Sequence, residues 1–452
     1  MEKISKEELI AKSHEPAKNA MKMHPFYHGK IQVIPRCRVE NYDDFGIWYS
    51  PGVAAPCLDI KNNPEHVYKH TSKWNYVAVV SDGTRVLGLG DIGPEAGLPV
   101  MEGKALLFKY LGGVDAFPMC VGPNMSAEDI IQLVKWIQPT FGGINLEDIS
   151  KPKCFKVLDT LRKDPEVKIP VWHDDQQGTA CVTVAGMLNA IKLVNKKKSD
   201  VRIVFNGVGA SNFAIQRLLK AAGFETKKAV FVDSRGILYK DRLDLVDPEN
   251  YKYEIAQNSN PEQIQGTLKE ALDGADVLIS LSRPGPDIVK KEWITKMATD
   301  PIVFACANPV PEIFPWEAKE AGAVVVATGR SDFPNQVNNS IGFPGIFRGT
   351  LDVRATTISD EMCIAAAEEL ALFAEEKGLS PDFIVPTMND QEVFIREAVA
   401  VGQMAQRQNL ARISLSKEEA CEVAQKYIQE SHDMTKLLMS KGFIPTYHIN
   451  TD

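Results

Sequence analysis

Two series of short apolar runs constrain this chain more than any other feature. Tyr76–Val80, Asp115–Val121, Gly143–Leu146 and Ile169–His173 form the first. Val201–Phe205, Ala229–Val232, Asp276–Leu281, Ile302–Ala305 and Ala323–Ala327 form the second. Short apolar runs of this kind suit strands buried on both faces, and strands that alternate with helices build parallel sheets. At 452 residues the chain also exceeds one ordinary core. The expected fold class is α/β with two parallel-sheet domains followed by C-terminal helices. The expected boundaries are 1–177, 178–345 and 346–452.

The intervening segments carry helical signals. Helices are expected over Glu102–Leu111 and Ala127–Ile137, the latter capped by Ser126 with Asp129 three residues on. Between Gly178 and Lys197, Val182, Ala185, Met187, Leu188, Ile191, Leu193 and Val194 recur at helical spacing, which predicts a helix crossing into the second domain. Asp360–Glu376 and Gln391–Arg407 are expected helices of the tail, which packs back on the domains. Residues 1–30 read as polar and helical in part.

Composition excludes several classes. A net charge of −8 argues against a nucleic-acid or anionic-membrane binder, and Lys196-Lys197-Lys198 reads as a solvated helix end. No apolar stretch reaches the roughly 18 residues of a membrane span. The acid-bearing start lacks the apolar core of a secretion signal. Cysteines at 37, 57, 120, 154, 181, 306, 363 and 421 form no CxxC pair. That scatter disfavours a zinc site or disulfide framework and fits a reducing compartment, so a cytoplasmic protein is expected.

Chemistry concentrates at three places. Gly207-Val208-Gly209-Ala210-Ser211-Asn212 follows the strand Val201–Phe205 and opens the predicted helix Ser211–Ala222. Glycines there let the backbone approach a pyrophosphate that the helix start attracts, which marks the second domain as a Rossmann dinucleotide-binding domain. Asp233, about twenty residues on, is placed to bond a ribose hydroxyl. Ser234 and Arg235 beside it could hold a 2′-phosphate, although Arg235 reads equally well as exposed surface. Asn212 stands where the third glycine of the fingerprint falls, so looser helix-to-strand packing is expected there.

The second place is a pair of acidic pairs. Glu147-Asp148 closes the run Gly143–Leu146, and Asp174-Asp175 closes Ile169–His173. Each alone reads as readily as a helix cap or a solvated loop. Together, at equivalent strand ends, they call for a hard cation, Mg²⁺ or Mn²⁺, because carboxylates gathered without a cation repel. His173 reads as a satisfied strand residue. Third, Lys104 has apolar and glycine neighbours, and burial would lower its pKa toward that of a general base. Tyr49 precedes a Pro-Gly turn that could fix its hydroxyl, although composition favours an ordinary tyrosine.

Seven segments together resemble the malic enzyme family. They are Tyr49-Ser50-Pro51-Gly52-Val53-Ala54, Leu87-Gly88-Leu89-Gly90-Asp91-Ile92-Gly93, Met101-Glu102-Gly103-Lys104-Ala105, Asn145-Leu146-Glu147-Asp148-Ile149, His173-Asp174-Asp175-Gln176-Gln177-Gly178-Thr179, Ala307-Asn308-Pro309 and Asn338-Asn339. The resemblance spans roughly residues 30–400 and is to the short form that lacks the extra amino-terminal segment of longer members. It implies that Glu147, Asp148 and Asp175 ligate the metal in a substrate-binding first domain. Lys104 is implied as the base, with Asp174 as its partner, and Tyr49 as the acid. Arg85, Asn308 and Asn339 are implied to hold the substrate carboxylates, although short members often carry a small residue at the position of Arg85. Gly207, Gly209, Ala210, Ser211, Asp233, Ser234, Arg235 and Asn308 are implied to hold the cofactor. Arg283 departs from the family's small-residue run before Pro-Gly and could change contacts near the nicotinamide.

The implied reaction is oxidative decarboxylation of L-malate to pyruvate and CO₂ with reduction of NADP⁺ or NAD⁺, NADP⁺ being favoured on Ser234-Arg235. Oxaloacetate decarboxylation is implied as a partial activity, and a homodimer or larger assembly as the oligomeric state. A malolactic reaction ending in lactate is the competing chemistry. A non-catalytic nucleotide-responsive protein is the competing class, disfavoured by retention of Tyr49, Lys104 and all four acids.

Overall fold

In the computed structural model, residues 6–122, 124–245 and 250–448 are described. Residues 1–5, part of the segment read as polar and partly helical, lie outside them. Strands β1 (Tyr76–Ser81), β2 (Asp115–Cys120), β3 (Gly143–Leu146) and β4 (Val171–His173) form one parallel sheet in the order β2-β1-β3-β4. The second sheet comprises β5 (Ile203–Asn206), β6 (Val230–Asp233), β7 (Gly236–Ile237), β8 (Val277–Ser280), β9 (Ile302–Ala305) and β10 (Val325–Thr328). Its order is β10-β9-β8-β5-β6-β7, with only β7 antiparallel. Strand order turns back at β5, and the crevice beyond the carboxyl end of such a strand is where α/β sheets take ligands.

Local chemistry explains several helix boundaries. The helix Ala127–Ile137 has the expected capping box. Ser126 Oγ accepts from Asp129 N at 3.1 Å, and Asp129 Oδ2 accepts from Ser126 N at 2.9 Å. The helix around Lys104 starts earlier than Glu102 and runs from Pro94 to Gly112. Pro94 suits a first helical turn because its missing N–H would be unpaired there anyway. Pro99, in the following turn, is accommodated, so the Pro and Gly content of 93–99 disguised the helix start.

Thr179–Leu193 is the expected crossing helix, and every residue from Ala180 to Ile191 is buried. It packs between the later helices Asp360–Gly378 and Ala210–Ala221. Asn189 Nδ2 donates to the Ala371 and Ile384 carbonyls at 2.8 and 2.9 Å, tying the helix to the tail. At the other sheet, Lys417–Ser440 lies on Pro94–Gly112, where Ser431 Oγ donates to Lys109 O at 2.7 Å. The tail thus contacts the helices of both sheets. Among the described residues no helix is long and apolar enough to cross a membrane.

Candidate active site

The parallel pairing of β3 with β4 brings the two acidic pairs together. Leu146 is in register with His173, so Glu147-Asp148 and Asp174-Asp175 leave adjacent strand ends side by side. Asp148 adopts a left-handed backbone (φ 53°), and its N–H donates to Asp175 Oδ2 at 2.9 Å. Asn145 Nδ2 donates to Glu147 Oε2 at 2.8 Å. One carboxylate oxygen from each of Glu147, Asp148 and Asp175 lies within 4.8 Å of the other two. Glu147 and Asp148 are buried, and Asp175 is half-buried.

That arrangement is costly as it stands. Burial, then the neighbouring acids, raises the Glu147 carboxyl well above its usual range, with Lys104 opposing. Burial and the Asp175 charge push Asp148 up to about 8. Asp148 Oδ2 is buried without a hydrogen-bond partner among the described residues. An all-oxygen set with an unpartnered buried acceptor fits a hard divalent cation such as Mg²⁺ or Mn²⁺.

Asp174 faces elsewhere. Its Oδ2 lies 2.5 Å from Lys104 Nζ, and its Oδ1 accepts from Trp172 Nε1 at 2.9 Å. A Cβ on Gly178 would lie 2.0 Å from Asp174 Oδ1 and 3.1 Å from Asn339 Cβ, so glycine is required where the wide turn Asp174–Gly178 ends. Lys104 Nζ is also 3.2 Å from Glu147 Oε1 and stands over the Phe343 ring. The expected lowering of its pKa is overturned. Burial does push the amine down, but Asp174 and Glu147 outweigh it and hold the pKa above the ordinary lysine value. His173 also differs from expectation. Neither ring nitrogen has a hydrogen-bond partner among the described residues, the nearest acid being Asp175 Oδ2 at 3.7 Å, and burial lowers the imidazole's pKa.

Across the crevice lies the glycine turn. Gly207 has φ 101°, and a Cβ there would approach Leu281 O to 2.5 Å, whereas a Cβ on Gly209 would meet only open space. The first glycine is therefore required by the fold, and the second leaves room for a ligand. Asn212 does not loosen the packing as expected. It is fully buried, and its Nδ2 donates to Asn206 O and Gly207 O at 3.1 and 2.8 Å, stitching helix to strand. Ser211 Oγ donates to Asp175 O at 2.8 Å, while Lys151 Nζ and Tyr251 Oη donate to Val208 O. The nucleotide turn is thereby bonded directly to the acidic loop.

Asp233 is already engaged. Arg242 donates two bonds to it at 2.9 and 2.7 Å, and Lys252 Nζ lies at 2.6 Å. Burial opposes its ionisation, but these cations hold its carboxyl well below the ordinary range. Arg235 is 71% exposed and pairs with Asp244 at 3.1 Å. Sequence reasoning missed Arg242 and Lys252, which sit in a loop and a helix without any motif.

Comparison with known proteins places the chain. Residues 28–162 match the family described as "Malic enzyme, N-terminal domain" and residues 176–406 "Malic enzyme, NAD binding domain". It is 49% identical to the "Bifunctional malic/malolactic enzyme" of Bacillus subtilis (strain 168), covering 90% of this chain and 97% of that protein. The "NAD-dependent malic enzyme" of Geobacillus stearothermophilus is 50% identical over 85% of this chain and 78% of its own length. The crystal structure of Entamoeba histolytica malic enzyme matches with a TM-score of 0.94 at 48% identity, over 99% of this chain and 93% of that one. The chain belongs to the malic enzyme family.

Malic enzymes oxidise and decarboxylate malate with a nicotinamide acceptor and a divalent metal, and NADP-dependent members also occur among the relatives. The remaining malic enzyme positions lie at the rim of the crevice. Arg85 is exposed, its N–H donating to Asp148 O at 3.0 Å and its Nη1 to Leu87 O at 2.7 Å. A Cβ on Gly88 would come within 2.5 Å of Asn308 O, so the Arg85 loop abuts the Asn308 turn. Buried Glu312 pins that turn by accepting from Ala307 N and Ser282 N, and nothing in the sequence had pointed to it. Asn339 sits beside Gly178, and Arg283 is exposed. Tyr49 stands apart. It is 74% exposed, and no described hydrogen bond joins its hydroxyl to the Lys104 cluster.

Proposed function

We propose that this crevice converts L-malate to pyruvate and CO₂ while reducing NADP⁺ or NAD⁺, and also decarboxylates oxaloacetate. The observation carrying the reading is Lys104 held between Asp174 and Glu147, the second of which belongs to the oxygen trio. Glu147, Asp148 and Asp175 would hold Mg²⁺ or Mn²⁺, which when bound supplies positive charge that offsets the buried acids and polarises the substrate. Positive charge held by Glu147, Asp148 and Asp175 would offset the acids that keep the Lys104 pKa high, and the neutral amine then takes the 2-hydroxyl proton as hydride leaves C2 for the nicotinamide ring. Asp174 orients the amine through its 2.5 Å contact and is itself fixed by Trp172. Arg85, Asn308 and Asn339 hold the substrate carboxylates. The bond from C3 to the distal carboxylate then breaks, and Tyr49 protonates C3.

The division of labour follows the two sheets. Residues 1–177 serve substrate and metal, 178–345 the dinucleotide, and 346–452 brace both. Gly207, Gly209, Ala210 and Ser211 line the pyrophosphate side, and Asp233, Ser234 and Arg235 the ribose side. NADP⁺ is the preferred acceptor. Arg235, Arg242 and Lys252 outnumber Asp233 and Asp244, so the repulsion that an unpaired acid would exert on a 2′-phosphate is offset.

The working unit is a homodimer or larger. The helices Asp44–Trp48 and Ala54–Asn62 bury none of their own residues, and Val33, Tyr42, Ile47, Trp48 and Leu58 are exposed beside Tyr49. An apolar row of this kind is what an interface between subunits covers. All eight cysteines carry free thiols, which favours a reducing, cytoplasmic setting.

A malolactic outcome is the second reading, favoured by the similarity to the bifunctional Bacillus subtilis enzyme. Incubation with malate, Mn²⁺ and each nicotinamide distinguishes the two. Pyruvate formed mole for mole with reduced nicotinamide is expected, whereas lactate without net reduced nicotinamide would overturn the primary reading.

A further inference from the structure

A second cluster of metal-binding groups lies outside the crevice, on the segment that follows Tyr49. Asp59 belongs to the helix Ala54–Asn62, His66 ends the turn Pro64–His66, and His70 ends the helix Val67–His70. Both imidazoles converge on one oxygen. Asp59 Oδ2 is 2.6 Å from His66 Nδ1 and 2.6 Å from His70 Nε2. One donor atom from each of the three residues falls within 4.8 Å of the others. All three side chains are partly open to solvent, so an ion can reach them.

We propose that Asp59, His66 and His70 form a binding site for a borderline divalent transition ion, with Zn²⁺ as its probe. Two nitrogens and one carboxylate oxygen suit zinc, whereas Mg²⁺ and Mn²⁺ prefer oxygen-only sets such as the crevice trio. Three protein donors leave the fourth tetrahedral position to water. A tetrahedral zinc site spaces its donor atoms about 3.3 Å apart. The observed 2.6 Å contacts are hydrogen bonds, so on binding each facing imidazole nitrogen gives up its proton and parts from the Asp59 oxygen by about 0.7 Å.

A neighbour is already set to follow that exchange. Asn63 Nδ2 lies 3.1 Å from His66 Nε2, the nitrogen not facing Asp59. With Nδ1 bound to the ion, Nε2 carries the proton, and a flip of the Asn63 amide presents its oxygen as acceptor. The scattered cysteines gave no sign of such a site because it uses none of them. A bound ion would clamp the helix Ala54–Asn62 to the turns that follow it, fixing the segment that carries Tyr49.

Calorimetric titration of the whole protein with ZnCl₂, in excess Mg²⁺, tests the site. The wild type is expected to take up one more equivalent of Zn²⁺ than His66→Ala or His70→Ala, or to bind it at least about tenfold more tightly. Equal stoichiometry and affinity in all three proteins would overturn the proposal, as would no Zn²⁺ uptake by the wild type. Imidazole ¹⁵N spectra of the wild type provide a check independent of any variant. Zn²⁺ is expected to move His66 Nδ1 and His70 Nε2 to metal-bound shifts, and unmoved resonances would equally refute the site.

Discussion

Two groups of acids stand at strand ends of this molecule, and they have been treated differently by the chain. Asp233, after β6, is met by Arg242 and Lys252, so its charge is balanced from within. Among the described residues, Lys104 is the one cation paired with Glu147 and Asp174, at the ends of β3 and β4, and Arg85 is the other cation near Asp148. The first group is held below the ordinary carboxylate range, while Glu147 and Asp148 are raised above it. A balanced acid is a structural or recognition element. An unbalanced buried set spends folding stability that a bound cation would return, and the proposed metal site draws on that difference.

The comparison is easiest to break at its centre. Lys104→Ala is expected to lower malate turnover by about 10³-fold or more, within the range for a lost acid–base group compounded by lost positioning. Nicotinamide affinity, read by quenching or calorimetry, is expected to stay within about twofold. Near-normal turnover would remove the lysine from the chemistry. Next in size, Asp175→Asn is expected to weaken Mn²⁺ binding by about 10- to 100-fold. Asp174→Asn is expected to leave Mn²⁺ affinity nearly intact while slowing turnover. It also removes one of the charges that raise the Lys104 pKa, so the acidic limb of the kcat profile should move to lower pH. An unmoved limb would reduce Asp174 to a packing role.

Much of this was legible in the sequence, and the reason is local. Strands such as Gly143–Leu146 and Ile302–Ala305 are short and wholly buried, and the capping box at Ser126 is a four-residue signal. The acidic pairs were visible because each ends its own strand. What escaped depends on long-range pairing. Lys104's pKa could not be read from its apolar neighbours, because Asp174 and Glu147 reach it from other elements. The engagement of Asp233 by Arg242 and Lys252, and the bond from Ala307 N to Glu312 that pins the turn beside Asn308, join residues without any spacing rule. Asn212 was misjudged because the missing glycine suggested a gap, whereas its amide fills the position with two hydrogen bonds.

The unbalanced acids also predict how stability responds to pH when the cation is removed. Asp148 has a folded pKa near 8 against an ordinary value of 3.8. The folded chain therefore holds a proton that the unfolded chain has released throughout that window, and stability falls as pH rises from about 4 to 8. One such group contributes a slope of at most about 1.4 kcal/mol per pH unit. Denaturant unfolding in chelator at pH 6 and pH 8 is expected to show the loss, and excess Mn²⁺ or Asp148→Asn to flatten it. A chelated protein equally stable at both values would contradict the cost assigned to this cluster.

The smallest effect is expected at the balanced acid. Arg235 is largely exposed and already paired with Asp244, so its gain from a 2′-phosphate is partly screened and partly an exchange of partners. Arg235→Ala is expected to raise KM for NADP⁺ by about tenfold, the scale of one lost charge-assisted bond, and to leave KM for NAD⁺ unchanged. Side-by-side initial rates with both cofactors, at fixed Mn²⁺ and malate, measure it. If the wild type prefers NAD⁺ and keeps that preference after Arg235→Ala, then Arg242 and Lys252 bind Asp233 only to hold the loop, and balancing an acid does not suffice to admit a phosphate.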